Sequence, residues 1–526
     1  MTSRRRMLHA AFGAAGAAAI AGCRSSPLTT PTVTAATGAN PFTLGVASGY
    51  PSADGVVLWT RLATDPRRSD GGITDPVVRV AWEIGTDEHL KSVVSRGTTD
   101  ALAAAAHSVH VEIGGLLPGR WYWYRFTANG HRSRIGRTRT VAPPGAVVGR
   151  FRLAIASCQN LEHGYFSAYR HIVADEPDLI VHVGDYIYEG SWGELFRPLE
   201  LPEAQTLAQY RERYAIYRQD PDLQEAHAMF PWVMVWDDHE VSNDYADASP
   251  ERITAPEDFL VRRAAAYRAY FEHMPMPQRM APSGPAMRID CTLRIGRLAT
   301  LYLLDGRQYR TPQACPPPGR AGGNAVIAAD CPALRDPGRT LLGRRQEQWL
   351  DREFKESGTP WNLIAQQTLV APLAMPDRSG STVRVRTDGW DGYPLSRRRL
   401  LDSIIDHGLR NPVVVGGDLH AFLAADLRAQ AATGAGGAFP VVASEFVTTS
   451  VASQASGQAH YDRLKRANEH LRHADSTRRG YLRLTLATRL MQADLMALDD
   501  VRRPESGVSR QAAFVVEDGR PGPQLA

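Results

Sequence analysis

The sequence predicts an α/β (α+β) chain in which a larger layered region follows a small β-sandwich, and three observations carry that expectation. Residues 41–143 alternate short β-rich runs with turns. From Phe151 onward, apolar strand-like runs alternate with helical stretches, the pattern of layered α/β folds. The 526 residues also exceed what one hydrophobic core ordinarily serves, so two domains are the default.

The N-terminus comes first. Arg4-Arg5-Arg6, a soft apolar run from Ala10 to Ala21 and small residues after it describe an export signal of the twin-arginine type over residues 1–22, the route that carries folded proteins. The run is too short and too rich in Ala and Gly to span a bilayer. Ile20-Ala21-Gly22-Cys23 resembles a bacterial lipobox, in which Cys23 is lipidated and anchors the mature chain to a membrane. Residues 23–40 are rich in Ser, Thr, Pro and Ala and read as a flexible tether. These features predict a protein of the cell surface or extracellular space, and a monomer is expected.

In residues 41–143, Val56–Trp59, Val77–Trp82 and Trp121–Phe126 read as strands, with Asp54-Gly55, Pro118-Gly119 and Asn129-Gly130 as turns. WYWYRF alternates as a strand buried on one side does. Several such strands in so short a span suggest an Ig/fibronectin-like sandwich. Pro143-Pro144-Gly145 marks the change of pattern, and residues 148–526 form the second region, with Arg262–His273 as one helical stretch and Leu350–Lys355 ending another.

In that region four apolar runs stop abruptly in polar clusters. Phe151–Ala156 ends in Ser157-Cys158-Gln159, and 178–183 ends in Gly184-Asp185-Tyr186-Ile187-Tyr188-Glu189. Trp232–Trp236 ends in Asp237-Asp238-His239-Glu240, with Asn243-Asp244 beyond, and 412–415 ends in Gly416-Gly417-Asp418-Leu419-His420. Ligands collect outside the carboxyl ends of strands in α/β sheets, so four strands side by side aim Cys, Asp, Tyr, His and Asn into one pocket. Two adjacent acids and a histidine at a strand mouth are costly unless paired or metal-bound. Thiolate, phenolate, imidazole and carboxylate suit a transition metal, and oxygen-rich sets suit a harder ion such as calcium.

The charge balance excludes one class of partner. Sixty basic against 56 acidic residues leave +4, and without the leader's three arginines +1, so there is no electrostatic footprint for nucleic acid. Export permits disulfides, and Cys315 and Cys331 flank a Pro/Gly-rich insertion that a bridge would close. Spacing alone does not fix connectivity. Cys291 reads as a packed, inert thiol, which leaves Cys158 without a partner.

The motifs PFTLGVASGYPSADGVVLWTRL, GLLPGRWYWYRF, FRLAIASCQN, DLIVHVGDYIYEG, WDDHEVSND, LDGRQYR, WDGYP, VVVGGDLHAF and SEFVTTSV occur in that order. In them the chain resembles the PhoD-like alkaline phosphatase and phosphodiesterase family, a branch of the calcineurin-like metallophosphoesterases, over nearly all of its length. Where the family has Gly-Asp-Pro in the first motif, this chain has Gly49-Tyr50-Pro51. The resemblance implies a four-layer αββα catalytic domain. It implies ferric iron held by Cys158, Asp185, Tyr188 and His420, and calcium held by Asp185, Asn243 and Asp418, with Asp185 bridging. Asp238 occupies the wider superfamily's asparagine-ligand position, so Asp238 and Asn243 stand as alternatives. His239 matches the superfamily's acid histidine and would protonate the leaving alkoxide. Arg307 and Arg310 read as phosphate contacts or as structural salt bridges, and Trp390 and Tyr393 as cleft rim or aromatic packing.

The functional expectation is therefore an exported phosphoesterase acting on phosphate esters. A phospholipase D-like phosphodiesterase is the alternative within that chemistry. From another class, a non-catalytic surface module would use the sandwich as its working part.

Overall fold

The computed structural model describes residues 38–377, 382–429 and 439–526; the signal, the Cys23 lipobox and most of the tether lie outside the described residues. Two large sheets face each other. The first runs, edge to edge, Arg520–Leu525, Val508–Glu517, Leu490–Leu498, Gly480–Ala487, Arg150–Ala156, Leu179–His182, Pro231–Met234, Val46–Gly49, Val56–Arg61, Ser108–Ile113. The second runs Cys291–Ile295, Ala299–Leu303, Trp361–Ala365, Pro412–Gly416, Val441–Val447, Phe422–Arg428, Leu471–Asp475. The centre of each is parallel, with Ile155 opposite Val181 in one and Leu363 opposite Val413 in the other.

Parallel strands need cover on both faces, and the apolar runs supply it by alternation. Val413 and Val415 join the core shared with Leu153, Ile155, Val181 and Val233 of the facing sheet. Val414, between them, packs with Leu350, Phe354, Leu401 and Ile404. Those last four belong to helices Arg344–Glu356 and Pro394–Asp406, which cover the second sheet together with Gln458–Ala467. Helices Ala168–Ala174, Leu207–Tyr217, Pro221–Met229 and Pro256–His273 cover the first through Tyr169, Tyr214, Leu223 and Tyr267. The result is the four-layer αββα arrangement. Local signals set the helix starts: Thr206 and Gln209 form a capping box, and Pro221, Pro256 and Pro394 sit in first turns, where proline's missing N–H does no harm. The helix read from Arg262 thus begins at Pro256. Among the described residues no helix is long and apolar enough to cross a membrane.

The N-terminal sandwich is present, but its two sheets are not equivalent. One is a separate sheet of Val93–Leu102, Val77–Gly85, Trp121–Ala128, His131–Arg132 and Gly136–Arg139. The other consists of the last three strands of the first large sheet. Val80, Tyr124 and Phe126 pack against Val46, Leu58 and Val111 to make the core between them. Val46–Gly49 pairs antiparallel with Val56–Arg61 on one side and parallel with Pro231–Met234 on the other, Gly49 lying opposite Trp232. Residues 140–149, where the pattern changes in the sequence, contain no helix or strand.

A smaller sheet orders Ala325–Ile327, Val383–Arg386 and Met375–Pro376. Its first strand lies inside the loop closed by the Cys315–Cys331 disulfide, whose Cα atoms are 6.1 Å apart.

The seam between the sandwich and the catalytic sheet tolerates no side chain at Gly49, where a Cβ would fall 2.5 Å from the Pro275 carbonyl oxygen and 2.7 Å from that of Trp232. Gly49→Ala is expected to lose about 2 kcal/mol of stability in thermal melts. Gly114→Ala, where a Cβ meets nothing within 4 Å, is the matched control.

Candidate metal centre

Arg150–Ala156, Leu179–His182 and Pro231–Met234 are parallel neighbours, so the loops that follow them emerge at one edge of the sheet. The fourth strand, Pro412–Gly416, is not beside them as the sequence suggests. It lies in the facing sheet, and the cluster is assembled across both. The approach is close: Gly417 sits so near Ser157 that a Cβ there would lie 2.0 Å from the serine Oγ. The Gln367 amide spans the gap, donating to the carbonyls of Trp236 at 2.9 Å and Leu304 at 2.8 Å.

Donor atoms of Cys158, Asp185 and His420 all lie within 4.8 Å of one another. The Tyr188 hydroxyl closes the group, donating to Asp185 Oδ2 at 2.9 Å and standing 3.2 Å from His420 Nε2. Nδ1 of His420 donates to the Gln454 carbonyl, which fixes the tautomer with Nε2 as a free lone pair. Ser453 Oγ bonds to the Tyr188 hydroxyl at 2.8 Å and to the Cys158 carbonyl at 2.7 Å.

Asp185, Asp238 and His239 form a second, overlapping group on the same 4.8 Å scale. The sequence reading assigns His239 to proton transfer, and its ring is also placed where a ligand would stand. Its Nδ1 is 2.7 Å from Glu189 Oε2, and the other oxygen of Glu189 accepts from the Asn243 backbone at 2.7 Å. Asp418 accepts from Thr368 Oγ1 at 2.8 Å. Asp185, Asp238, His239, Asn243, Asp418 and His420 line one cleft of about 750 Å³.

Two independent observations fit this donor set to bound cations. The first is unfilled valence: Asp185 Oδ1 is buried without a hydrogen bond, and so is Asp238 Oδ1, whose nearest cation is Arg307 Nη2 at 3.5 Å. The second is backbone strain. Cys158, Asp185, Asp418 and His420 all hold left-handed φ values of 58°, 57°, 63° and 53°. Such conformations persist in non-glycine residues only where their surroundings over-determine them, and they gather at functional sites. Electrostatics agree. Burial pushes the Cys158 thiol and the Tyr188 hydroxyl well above their ordinary ranges, and Asp185 adds to both shifts. Burial also lifts Asp185 to about 7, opposed by His239 and reinforced by Asp238 and Asp418. It drops His420 to about 3, with Arg479 adding to the effect. At His239 burial works against the charge, but Glu189, Asp238 and Asp185 outweigh it and hold the ring well above the usual histidine range.

Arg307 needs correction as a substrate contact. Its side chain is 2% exposed, with Nε on Asp237, Nη1 3.0 Å from Asp388 and Nη2 3.5 Å from Asp238. Arg310 is equally buried, with Nη2 2.7 Å from Asp388. Neither guanidinium lines the cleft. Trp390 and Tyr393 are packed rather than at the rim, Trp390 donating to Gln366 at 3.0 Å. The sequence reading also missed Glu240. Its carboxylate accepts from the backbone of Asp185 at 3.1 Å, Tyr186 at 2.5 Å and Asp237 at 2.8 Å, tying two metal-site loops together. The signal was available in the last residue of Asp-Asp-His-Glu.

A strand-end cleft in an αββα sandwich, walled by carboxylates and imidazoles with a thiol and a phenol buried against Asp185 and His420, is the equipment of a metal-dependent hydrolase. The chain belongs to the PhoD-like phosphatase family, whose profile matches residues 153–495, while the profile of the PhoD-like phosphatase N-terminal domain matches residues 26–142. It is a phosphoric ester hydrolase. It is 41% identical over 491 residues to alkaline phosphatase D of Bacillus subtilis (strain 168), covering 92% of this chain and 82% of that protein. A solved structure of PhoD superposes with a TM-score of 0.87 at 40% identity, covering 94% of this chain and 93% of the other.

Arg307→Met strands Asp237 as a buried charge and leaves Asp388 to Arg310 alone, so about 3–5 kcal/mol of stability should be lost in denaturant titrations. A substrate contact would instead raise KM and leave the fold intact. Glu240→Gln turns an amide toward a backbone donor, and metal release under chelator challenge should accelerate about tenfold or more.

Proposed function

We propose that this chain hydrolyses phosphate monoesters and diesters at an iron–calcium centre. The observation that carries the reading is the meeting of Cys158, Asp185 and His420 within 4.8 Å, closed by the Tyr188 hydroxyl. Thiolate and phenolate are strong donors that favour ferric iron. Asp185 and Asp418, with Asn243 and Asp238 as the remaining oxygen donors, make the set a calcium ion prefers. When bound, such a pair of ions holds a phosphoryl group, lowers the pKa of water and stabilises the leaving oxygen.

The protein's own groups do the rest. Glu189 holds His239 by Nδ1, so the Nε2 proton is the one available to a leaving alkoxide. Thr368 orients Asp418, and Gln454 orients His420. Trp192 and Val261, 37% and 72% exposed, line the same cleft and offer apolar surface to the organic part of the ester. That rim also favours the second reading, a phospholipase D-like phosphodiesterase acting on lipid head groups. The name of the Bacillus relative supports the phosphatase reading.

The leader motifs support export by the twin-arginine route in folded form, followed by a lipid anchor at Cys23 and residence at the cell surface as a monomer. Folding before export lets Cys158 become a metal-held thiolate before an oxidising compartment reaches it.

The test is metal analysis of the natively exported protein with assays of p-nitrophenyl phosphate, its bis ester and choline release from phosphatidylcholine vesicles, with and without chelator. Iron and calcium with chelator-sensitive turnover of the nitrophenyl esters are expected. Full iron occupancy without turnover of either ester overturns the reading, and choline release as the main activity selects the alternative. Cys158→Ala should lose iron and about two orders of magnitude or more of turnover; unchanged turnover rejects the assigned ligand.

A further inference from the structure

With Arg307 and Arg310 committed to Asp237 and Asp388, a guanidinium that meets a phosphoryl group beside the metal ions must come from elsewhere. Three guanidiniums line the cleft: Arg252, Arg262 and Arg386. Arg262 is 2.9 Å from Glu203 and donates to the Tyr210 hydroxyl at 2.9 Å. Arg252 reaches the same glutamate at 3.4 Å. Arg386 is exposed and has no carboxylate partner among the described residues. Tyr461 and His460 feel its charge, and the Tyr461 hydroxyl donates at 2.5 Å to the Leu419 carbonyl, between the ligand positions Asp418 and His420.

The position of Arg386 is built, not incidental. It ends the strand Val383–Arg386, opposite Ala325. The next residue, Thr387, donates from its backbone to Asn324 at 2.8 Å. Asp388 is then pinned by Arg307, Arg310 and, at 2.9 Å, Gln313. Ala325 and Asn324 both lie within the loop that the Cys315–Cys331 bridge closes. The bridge therefore constrains the strand that presents the one unpaired cleft guanidinium among the described residues.

We propose that Arg386 binds the phosphate oxygens of substrate and product, and that the disulfide-closed three-stranded sheet positions it. The proposal rests on the phosphoesterase reading above. A guanidinium offers paired N–H donors to two phosphate oxygens, a fit that neither lysine nor a neutral amide reproduces.

The experiment uses the metal-loaded, natively exported enzyme and compares wild type, Arg386→Gln, Arg386→Lys, C315S/C331S and the combined variant. Steady-state kinetics on p-nitrophenyl phosphate give KM and kcat, inhibition gives Ki for inorganic phosphate, and calorimetry gives phosphate affinity directly. Arg386→Gln should raise KM and Ki about tenfold or more, with kcat held within about threefold. Arg386→Lys should recover part of the loss. C315S/C331S should raise the same constants less, and add nothing on the Arg386→Gln background, as coupled groups do. Unchanged KM and phosphate affinity in Arg386→Gln overturn the proposal. Full additivity of the disulfide variant overturns the positioning half. If wild type turns over no ester, the phosphoesterase reading fails by itself, because calorimetry with inorganic phosphate still decides Arg386.

Discussion

A single buried guanidinium, that of Arg307, joins three parts of the chain that have no backbone continuity at the site. Arg307 follows Ala299–Leu303 in the second sheet, Asp237 follows Pro231–Met234 in the first, and Asp388 follows Val383–Arg386, the central strand of the small sheet. Asp305 reinforces the joint, accepting from the Arg307 backbone at 3.0 Å and from the Trp236 indole at 3.1 Å. Charges so far from water interact strongly, and removing the guanidinium leaves Asp237 without a counter-charge. The two sheets carry the donors of the metal site between them. Their edges must be held in one relative position for the site to exist, and this ion-pair knot is what lies directly behind it.

Within that frame the donors are held against their own preferences. Four of the candidate ligands adopt left-handed backbone conformations, each costing about 1 kcal/mol or more. Glu240 spends a buried carboxylate on three backbone donors in the loops that carry two of the clusters. Ser453, Thr368 and Gln454 hold Tyr188, Asp418 and His420 from outside. Strain, crowded negative charge and unfilled oxygens all point in the same direction, toward a site whose stability and function come from what it binds.

Much of this was legible in the sequence. Continuous apolar runs and their abrupt polar ends located the strands that carry the site, because burial on both faces leaves no room for polar interruption. Those endings put Cys158, Asp185, Tyr188, Asp418 and His420 among the candidates, and the family resemblance picked them out as ligands. What local pattern does not carry is which sheet a strand joins. Pro412–Gly416 reads like its three counterparts, yet it comes from the opposite sheet. Nor does a guanidinium in LDGRQYR differ, as a sequence, from one that faces a substrate; only its burial beside Asp237 and Asp388 separates the two roles. The scaffolding roles of Glu189 and Glu240 are set by contacts with other loops, Glu189 with His239 and Asn243 and Glu240 with the Asp185 and Tyr186 backbone, which local pattern does not carry. The Cys315–Cys331 pair was easier, because proline and glycine between them already announced a closed insertion.

The pairing of Val46–Gly49 with Pro231–Met234 has a consequence for the order of assembly. The Tyr50 hydroxyl bonds to the Met234 carbonyl across a sequence separation of 184, so this early strand waits for a late neighbour. At the other side of the same sheet, Arg150–Ala156 is flanked by Gly480–Ala487. A ribosome delivers the chain from its N-terminus, and contacts of such long range form slowly. The sheet therefore cannot be completed during synthesis of its first half. The N-terminal segment emerges as one edge of an unfinished surface, and the native molecule closes only after nearly all of its residues are free to meet.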